Sequence, residues 1–231
     1  MGIFKDIKED FSIVRKKDPA IKSNIELFFN YPGLIAIIHY RIAHRLYKKN
    51  FKVLARIIMG FTQFITHIDI HPACVIGKRI FIDHGIGIVI GETAILEDNI
   101  TIYQGVTLGG VTLEKTKRHP TIKSGVTIGA GAKILGNIVV GENVKIGANS
   151  VVISDVPDNA TAVGIPARII QKGRIKDTLA MDKIPDIDKQ LFNYMFRKIQ
   201  ILESRVDCDG CKQKLQDLDE LYDHFIKSTK D

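Results

Sequence analysis

From Ile90 an aliphatic residue returns every six positions: Ile90, Leu96, Ile102 and Leu108, then, after an interruption, Ile122, Ile128, Ile134, Val140, Ile146 and Val152. Four residues behind most of these stands a second residue that is small or β-branched, in Ala94, Ile100, Val106, Val126, Ala132, Ile138, Val144 and Ser150. A looser stretch keeps the beat through Ile70, Ile76 and Ile82. A period of six fits neither an α-helix nor a plain amphipathic strand, whose periods are about 3.6 and 2. It fits a solenoid in which each hexad is one short strand plus a corner and three hexads close a triangular coil. The aliphatic side chain points into the prism and stacks on its counterparts above and below. Glycines just after the beat, at Gly91, Gly109, Gly129, Gly141 and Gly147, suit the corners. One coil cannot cover its own core, so stability comes from stacking. Residues 68–157 hold about five such coils.

The interruptions locate function better than the repeat does. Fourteen positions, not twelve, separate Leu108 from Ile122, and Glu114, Lys115, Lys117, Arg118 and His119 make the segment too polar to fill coils. Residues 109–121 are therefore expected to leave the prism as a loop, where function tends to sit. A second slip of two residues lies between Ile82 and Ile90, beside Asp83-His84-Gly85.

The flanks read differently. Residues 1–66 form an expected N-terminal helical domain, with Leu34, Ile37, Ile38, Ile42 and Leu46 at helical spacing after a break at Pro32-Gly33 and a further apolar run from Val53 to Ile65. Residues 67–170 form the β-helix domain. Residues 171–231 read as a helical tail, with one apolar face at Ile187, Leu191, Met195, Ile199 and Leu202 and another at Leu215, Leu218, Leu221 and Phe225. Its turn falls at Asp207-Cys208-Asp209-Gly210-Cys211.

Composition excludes several classes. The 33 basic and 26 acidic side chains give +7, and residues 1–60 hold 12 basic and 5 acidic of them, so the surplus belongs to the helical segment. Without a Lys/Arg block or an RNA-binding motif, it reads as a solvated face rather than a nucleic-acid or membrane surface. Three cysteines are too few and too unevenly spaced for a disulfide framework, and Cys208-x-x-Cys211 reads as a plain turn. No signal-peptide core is present at the start, and Arg41, Arg45 and Arg56 interrupt the longest apolar runs. The expectation is a soluble, cytoplasmic protein.

Hexad solenoids resemble the hexapeptide-repeat acyltransferases. Within them, Asp69-Ile70-His71-Pro72, Asp83-His84-Gly85 with Gly87, and Gly109-Gly110 followed by Arg118-His119-Pro120 resemble serine O-acetyltransferase. Lys17-Asp18-Pro19-Ala20 matches that family's RDPA string with Lys in place of Arg, and Gly164-Ile165-Pro166-Ala167 fits its close. The resemblance spans about residues 15–172. It implies a left-handed sense for the β-helix, which spacing alone does not give because ordinary crossovers are right-handed.

The resemblance makes His84 a general base and Asp69 the carboxylate that orients it. Fifteen residues separate the two, which in an eighteen-residue coil bring them together only with help from the slip or from a neighbouring subunit. An imidazole titrating near neutrality suits the role. A thioester is already activated, and no cysteine sits among these motifs, so transfer from acetyl-CoA is expected to be direct. An amino acid needs both signs of charge: Arg118 offers a planar fork to the carboxylate with His119 as second donor, while Asp18 and Asp83 hold the ammonium as the family's corresponding residues do. Gly129-Ala130-Gly131-Ala132 and Gly147-Ala148 are candidates for a pantetheine groove, Lys145, Arg168 and Lys172 for the coenzyme A phosphates, and Gly109 or Gly110 for an oxyanion amide.

The implied reaction is acetylation of the L-serine hydroxyl to O-acetyl-L-serine for cysteine synthesis, with L-cysteine as feedback inhibitor and no resident metal or cofactor. The implied assembly is a trimer with sites between subunits; the short helical domain favours it over a dimer of trimers without excluding the latter. Longer relatives often end in an apolar residue, typically Ile, that plugs the sulfhydrylase of the next step. The ending Lys230-Asp231 withholds that complex from what the resemblance implies. Acetylation of a sugar, antibiotic or other small alcohol or amine is the alternative on this scaffold, though it gives no reason for the set Asp18, Asp83, Arg118 and His119. A γ-type carbonic anhydrase lacks the right histidine spacing, and a non-catalytic scaffold is the most distant reading.

Overall fold

The computed structural model describes residues 3–18, 20–23, 25–170 and 194–199. The chain divides into two units, Met1–Ile184 and Pro185–Asp231. In the second, residues 194–199 are helical, with Lys198 Nζ 5.0 Å from the centroid of the Tyr194 ring. The remainder of the expected tail hairpin, with Cys208, Cys211 and Lys172, lies outside the described residues.

Residues 69–152 wind into a parallel β-helix of three faces, left-handed as expected. The first face stacks Asp69–Ile70, Val89–Ile90, Thr107–Gly109, Lys133–Leu135 and Val151–Val152. The second stacks Val75–Ile76, Ile95–Leu96, Thr121–Ile122 and Val139–Val140. The third stacks Phe81–Ile82, Thr101–Ile102, Thr127–Ile128, Lys145–Ile146 and Thr161–Val163, where the antiparallel strand Arg168–Ile170 ends it. The strands are two or three residues long because the aliphatic residue of each hexad must turn inward and the chain must then turn a corner. Ile70, Ile90, Leu108, Ile134 and Val152 stack on the first face, each at most 2 % exposed. The residues four places on fill the corners: Ile68, Ile88, Val106, Ala132 and Ser150 form one such column, all buried.

Register measures the interruptions. Asp69 pairs with Val89, twenty residues on, and Val89 with Thr107, eighteen on, so the slip beside His84 adds two residues to one coil. Thr107 pairs with Lys133, twenty-six residues on, and Lys133 with Val151, eighteen on. The excursion at 109–121 therefore adds eight residues to a single corner. The sequence count of two extra positions over twelve corresponds to one ordinary hexad step plus eight, since the loop replaces no strand.

Four helices precede the coils: α1 (Ile3–Lys17), α2 (Glu26–Phe29), α3 (Pro32–Lys48) and α4 (Lys52–Thr66). Helix α1 covers the outside of the third face, where Ile13, Val14, Leu27, Leu34 and Phe81 make a second small core, and Lys17 Nζ bonds Thr101 Oγ1. Helix α3 closes the open end of the first coil. Tyr40 donates its hydroxyl to the Cys74 carbonyl (2.7 Å) and accepts from the Ile76 amide (3.0 Å), while His44 Nδ1 meets the Pro72 carbonyl at 2.8 Å. Arg41 bonds the Ile76 and Gly77 carbonyls and forms a two-pronged pair with buried Asp10, at 3.1 and 3.2 Å. These bonds satisfy edge groups that no further coil reaches. They also rotate α3 relative to the face expected from apolar spacing: Tyr40 and Arg41 are buried and Ile42 is exposed. Replacing Arg41 by Ala strands the Asp10 carboxylate and the Ile76 and Gly77 carbonyls, so Arg41→Ala is expected to lower unfolding free energy by about 3–5 kcal/mol, read from denaturant titration followed by circular dichroism.

Candidate active site

The sequence-predicted residues fall on two corners of the prism. At the corner from third to first face, where the slip falls, His84 has φ 58° and Gly85 φ 80°, the left-handed corner conformation that Arg79, Asn99, Asn143 and Asn149 adopt at other corners. The corner packs inward, because a Cβ on Gly85 would lie 2.6 Å from Ile68 Cδ1. The His84 ring points out, with its side chain 73 % exposed and Nε2 3.9 Å from Asp83 Oδ1. Asp18, which follows α1, joins this corner: His84 acts on its carboxyl electrostatically, its Oδ2 accepts from the Tyr31 hydroxyl at 2.6 Å, and its Oδ1 accepts from the Ala20 amide at 2.8 Å. Those bonds hold the Asp18 carboxyl below its ordinary range, the tyrosine contributing most. Burial, and then Asp18, push the Tyr31 phenol well up.

The same corner continues down the molecule through Gly105, Gly129–Ala132 and Gly147–Ala148. Backbone amides link successive layers, as from Gly131 to Gln104 and from Asn149 to Ala130, both at 2.8 Å. The Asn149 side chain fills the space beside Gly131, where a Cβ would lie 2.1 Å from its Oδ1. The glycines and alanines proposed for a pantetheine groove thus stack in register below the His84 corner. Lys145 starts a strand on the third face and Arg168 lies on the terminal antiparallel strand, at the far end of the stack.

Arg118 and His119 occupy the other corner, from first to second face. The loop returns there, and Thr93 receives it: its Oγ1 accepts the Arg118 and His119 amides at 3.0 and 3.1 Å. The His119 ring is 7 % exposed and fills the space where a side chain on Gly91 would sit, 2.0 Å from the ring. Its Nδ1 lies 2.8 Å from Thr93 Oγ1 and 3.2 Å from the Thr93 amide. Burial, then the cations Arg118 and Lys117, keep His119 below its ordinary pKa. Arg118 Nη2 bonds Glu92 at 3.2 Å, and Gly110 lies against the Arg118 side chain.

Asp69 stands on the first face between these corners, half-buried, close enough to His71 to act on it electrostatically. Among the described residues no hydrogen bond or ion pair joins Asp69 to His84, whose ion-pair partner is Asp83. The strand Val89–Ile90 separates the two corners, so Gly87 and Gly91 stand about 13 Å apart along the backbone, at about 3.3 Å per residue.

The family model for bacterial transferase hexapeptide (six repeats) matches residues 119–154. The serine acetyltransferase of Bacillus subtilis (strain 168) is 48 % identical over 214 residues, 92 % of this chain and 98 % of that protein. The chain belongs to the serine acetyltransferase family. A solved serine acetyltransferase in complex with cysteine superposes with a TM-score of 0.71 at 48 % identity, covering 73 % of this chain and 70 % of that one. Another, in complex with CoA, gives 0.68 at 47 % identity over 73 % and 69 %.

Three residues that contact the candidate site side chains did not stand out in the sequence: Tyr31, Glu92 and Thr93. Glu92 and Thr93 follow Gly91 as ordinary corner residues of a hexad, and only the folded loop shows what they hold. Tyr31 had a faint signal, a phenol placed directly before the Pro32-Gly33 break. His119 also carries a pH signature. Its folded pKa lies below the 6.5 of the free side chain, so between these values the unfolded chain binds a proton that the native one refuses, and stability falls as pH falls below about 6.5. His119→Gln is expected to make the urea midpoint fall less steeply from pH 7.5 to 5.5 than in wild type.

Proposed function

We propose that this chain transfers acetyl directly from acetyl-CoA to the hydroxyl of L-serine, with His84 as general base, Asp18 and Asp83 on the ammonium, and Arg118 and His119 on the carboxylate. The observation that supports the reading is the distribution of charge: Asp18 and Asp83 gather beside an exposed imidazole at one corner, and Arg118, held by Glu92, gathers with a neutral histidine at the other. A free amino acid presents this complement at its two ends, with its hydroxyl between them.

With the two corners a strand apart on one chain, the reading places each site between neighbouring chains of a trimer, the His84 corner of one against the Arg118 corner of the next. The exposed apolar residues of α4, Val53, Ile57, Phe61 and Phe64 among them, favour association of chains. In the reaction, His84 takes the serine hydroxyl proton as the oxygen bonds to the thioester carbonyl carbon. The C–S bond then breaks, and the coenzyme A thiolate takes the proton back. Asp69 orients the imidazole once the exposed ring turns toward the first face, one residue beyond the Ile68 side chain on which the corner packs. The glycine–alanine stack holds the pantetheine arm, a Gly109 or Gly110 amide faces the developing oxyanion, and Lys145, Arg168 and Lys172 approach the phosphates. Cysteine differs from serine by sulfur for oxygen and fills the same subsites, so it acts as a feedback inhibitor competing with serine.

Thiol release from acetyl-CoA with serine, homoserine and a galactoside as acceptors tests this: serine is expected to dominate, and equal turnover of all three sinks the assignment. His84→Ala is expected to lose about 10²–10⁴-fold in kcat. Asp18→Asn is expected to raise KM for serine while leaving KM for acetyl-CoA within about twofold.

A further inference from the structure

The amide of His119, the amide of Arg118 and the hydroxyl and amide of Thr93 leave few ways to place their protons. A threonine oxygen has two lone pairs and one proton. Both lone pairs of Thr93 Oγ1 are occupied, by the Arg118 and His119 amides. Its proton then has the nearest free acceptor, His119 Nδ1 at 2.8 Å. The Thr93 amide points at the same nitrogen from 3.2 Å. A proton on Nδ1 would face two donors, so Nδ1 is the acceptor and the ring proton sits on Nε2. Nε2 has no hydrogen-bond partner among the described residues, yet it is not a sealed polar atom. The ring cannot turn away, since its Cδ2–Nε2 edge is wedged into the side-chain space of Gly91, and the substrate carboxylate must approach Nε2 from the outer side of that edge.

Resting on the serine reading above, we propose that Thr93 is a positioning residue that sets His119 as a neutral Nε2–H donor for the carboxylate of the amino-acid substrate. One hydroxyl does two things: it ties the returning end of the 109–121 loop to the preceding coil, and it selects the tautomer of the histidine that the loop delivers. Low pKa serves the same end, because a ring that stays uncharged keeps this donor geometry through neutral pH.

Two measurements test it. In wild-type protein labelled with 15N-histidine, the His119 signals, assigned by their loss in His119→Gln, are expected to show an unprotonated Nδ1 and a protonated Nε2 at pH 7.5. The opposite tautomer overturns the proposal. In kinetics, Thr93→Val keeps the shape and removes the hydroxyl; KM for serine is expected to rise about tenfold or more, with KM for acetyl-CoA within about twofold, and Thr93→Ser is expected to restore most of the loss. An unchanged serine KM in Thr93→Val, or equal rises for both substrates, also overturns it. If Thr93→Val does not fold, the wild-type spectrum still decides. If wild type releases no thiol with serine, the functional reading fails, and the tautomer is still answered by the spectrum.

Discussion

The stacking of one aliphatic column on each face governs everything else in this molecule. Inward residues such as Ile90 and Leu108 meet layer upon layer, and a strand that gained or lost one residue would turn its inward side chain to solvent. Faces therefore tolerate no insertion. Departures from the eighteen-residue circuit are confined to corners: two residues added beside His84, eight added before Arg118, and two lost between Val152 and Val156 in the last coil, the first two lying beside the candidate site residues. The scaffold spends its regularity on the core and leaves irregularity to the corners.

How far this was legible in the residues depends on which link is asked about. The hexads declare the prism, because a period of six has one compact solution. They do not declare the length of the excursion, since fourteen positions read equally as two hexads plus two or one hexad plus eight, and only strand register separates these. Apolar spacing in α3 locates a helix but misplaces its buried side, for Arg41 goes inward to satisfy carbonyls of the first coil that no sequence pattern reveals. Of the site, Asp18, Asp83, His84, Arg118 and His119 stand out through motifs. Tyr31, Glu92 and Thr93 do not, because their roles arise from partners 13 to 26 residues away.

Electrostatics divides along the same lines. The carboxyl of Asp18 is kept ionised by hydrogen bonds at an open edge, whereas His119 is kept neutral by being enclosed. Charge and neutrality are thus produced by opposite environments on two corners of one coil stack. Gly91 belongs to this division as much as any charged group: its missing side chain is the space that His119 occupies, so neither position is free to change alone.

The two ends of the prism are unlike its middle. At the start, α3 occupies the first coil's free backbone groups with Tyr40, Arg41 and His44; at the finish, Arg168–Ile170 runs against the grain of the strand it joins. A stack of parallel layers offers its neighbours a template at both extremities, and an unguarded one would extend head to tail into filaments. Here each terminus is plugged by something of the wrong shape or direction to be copied.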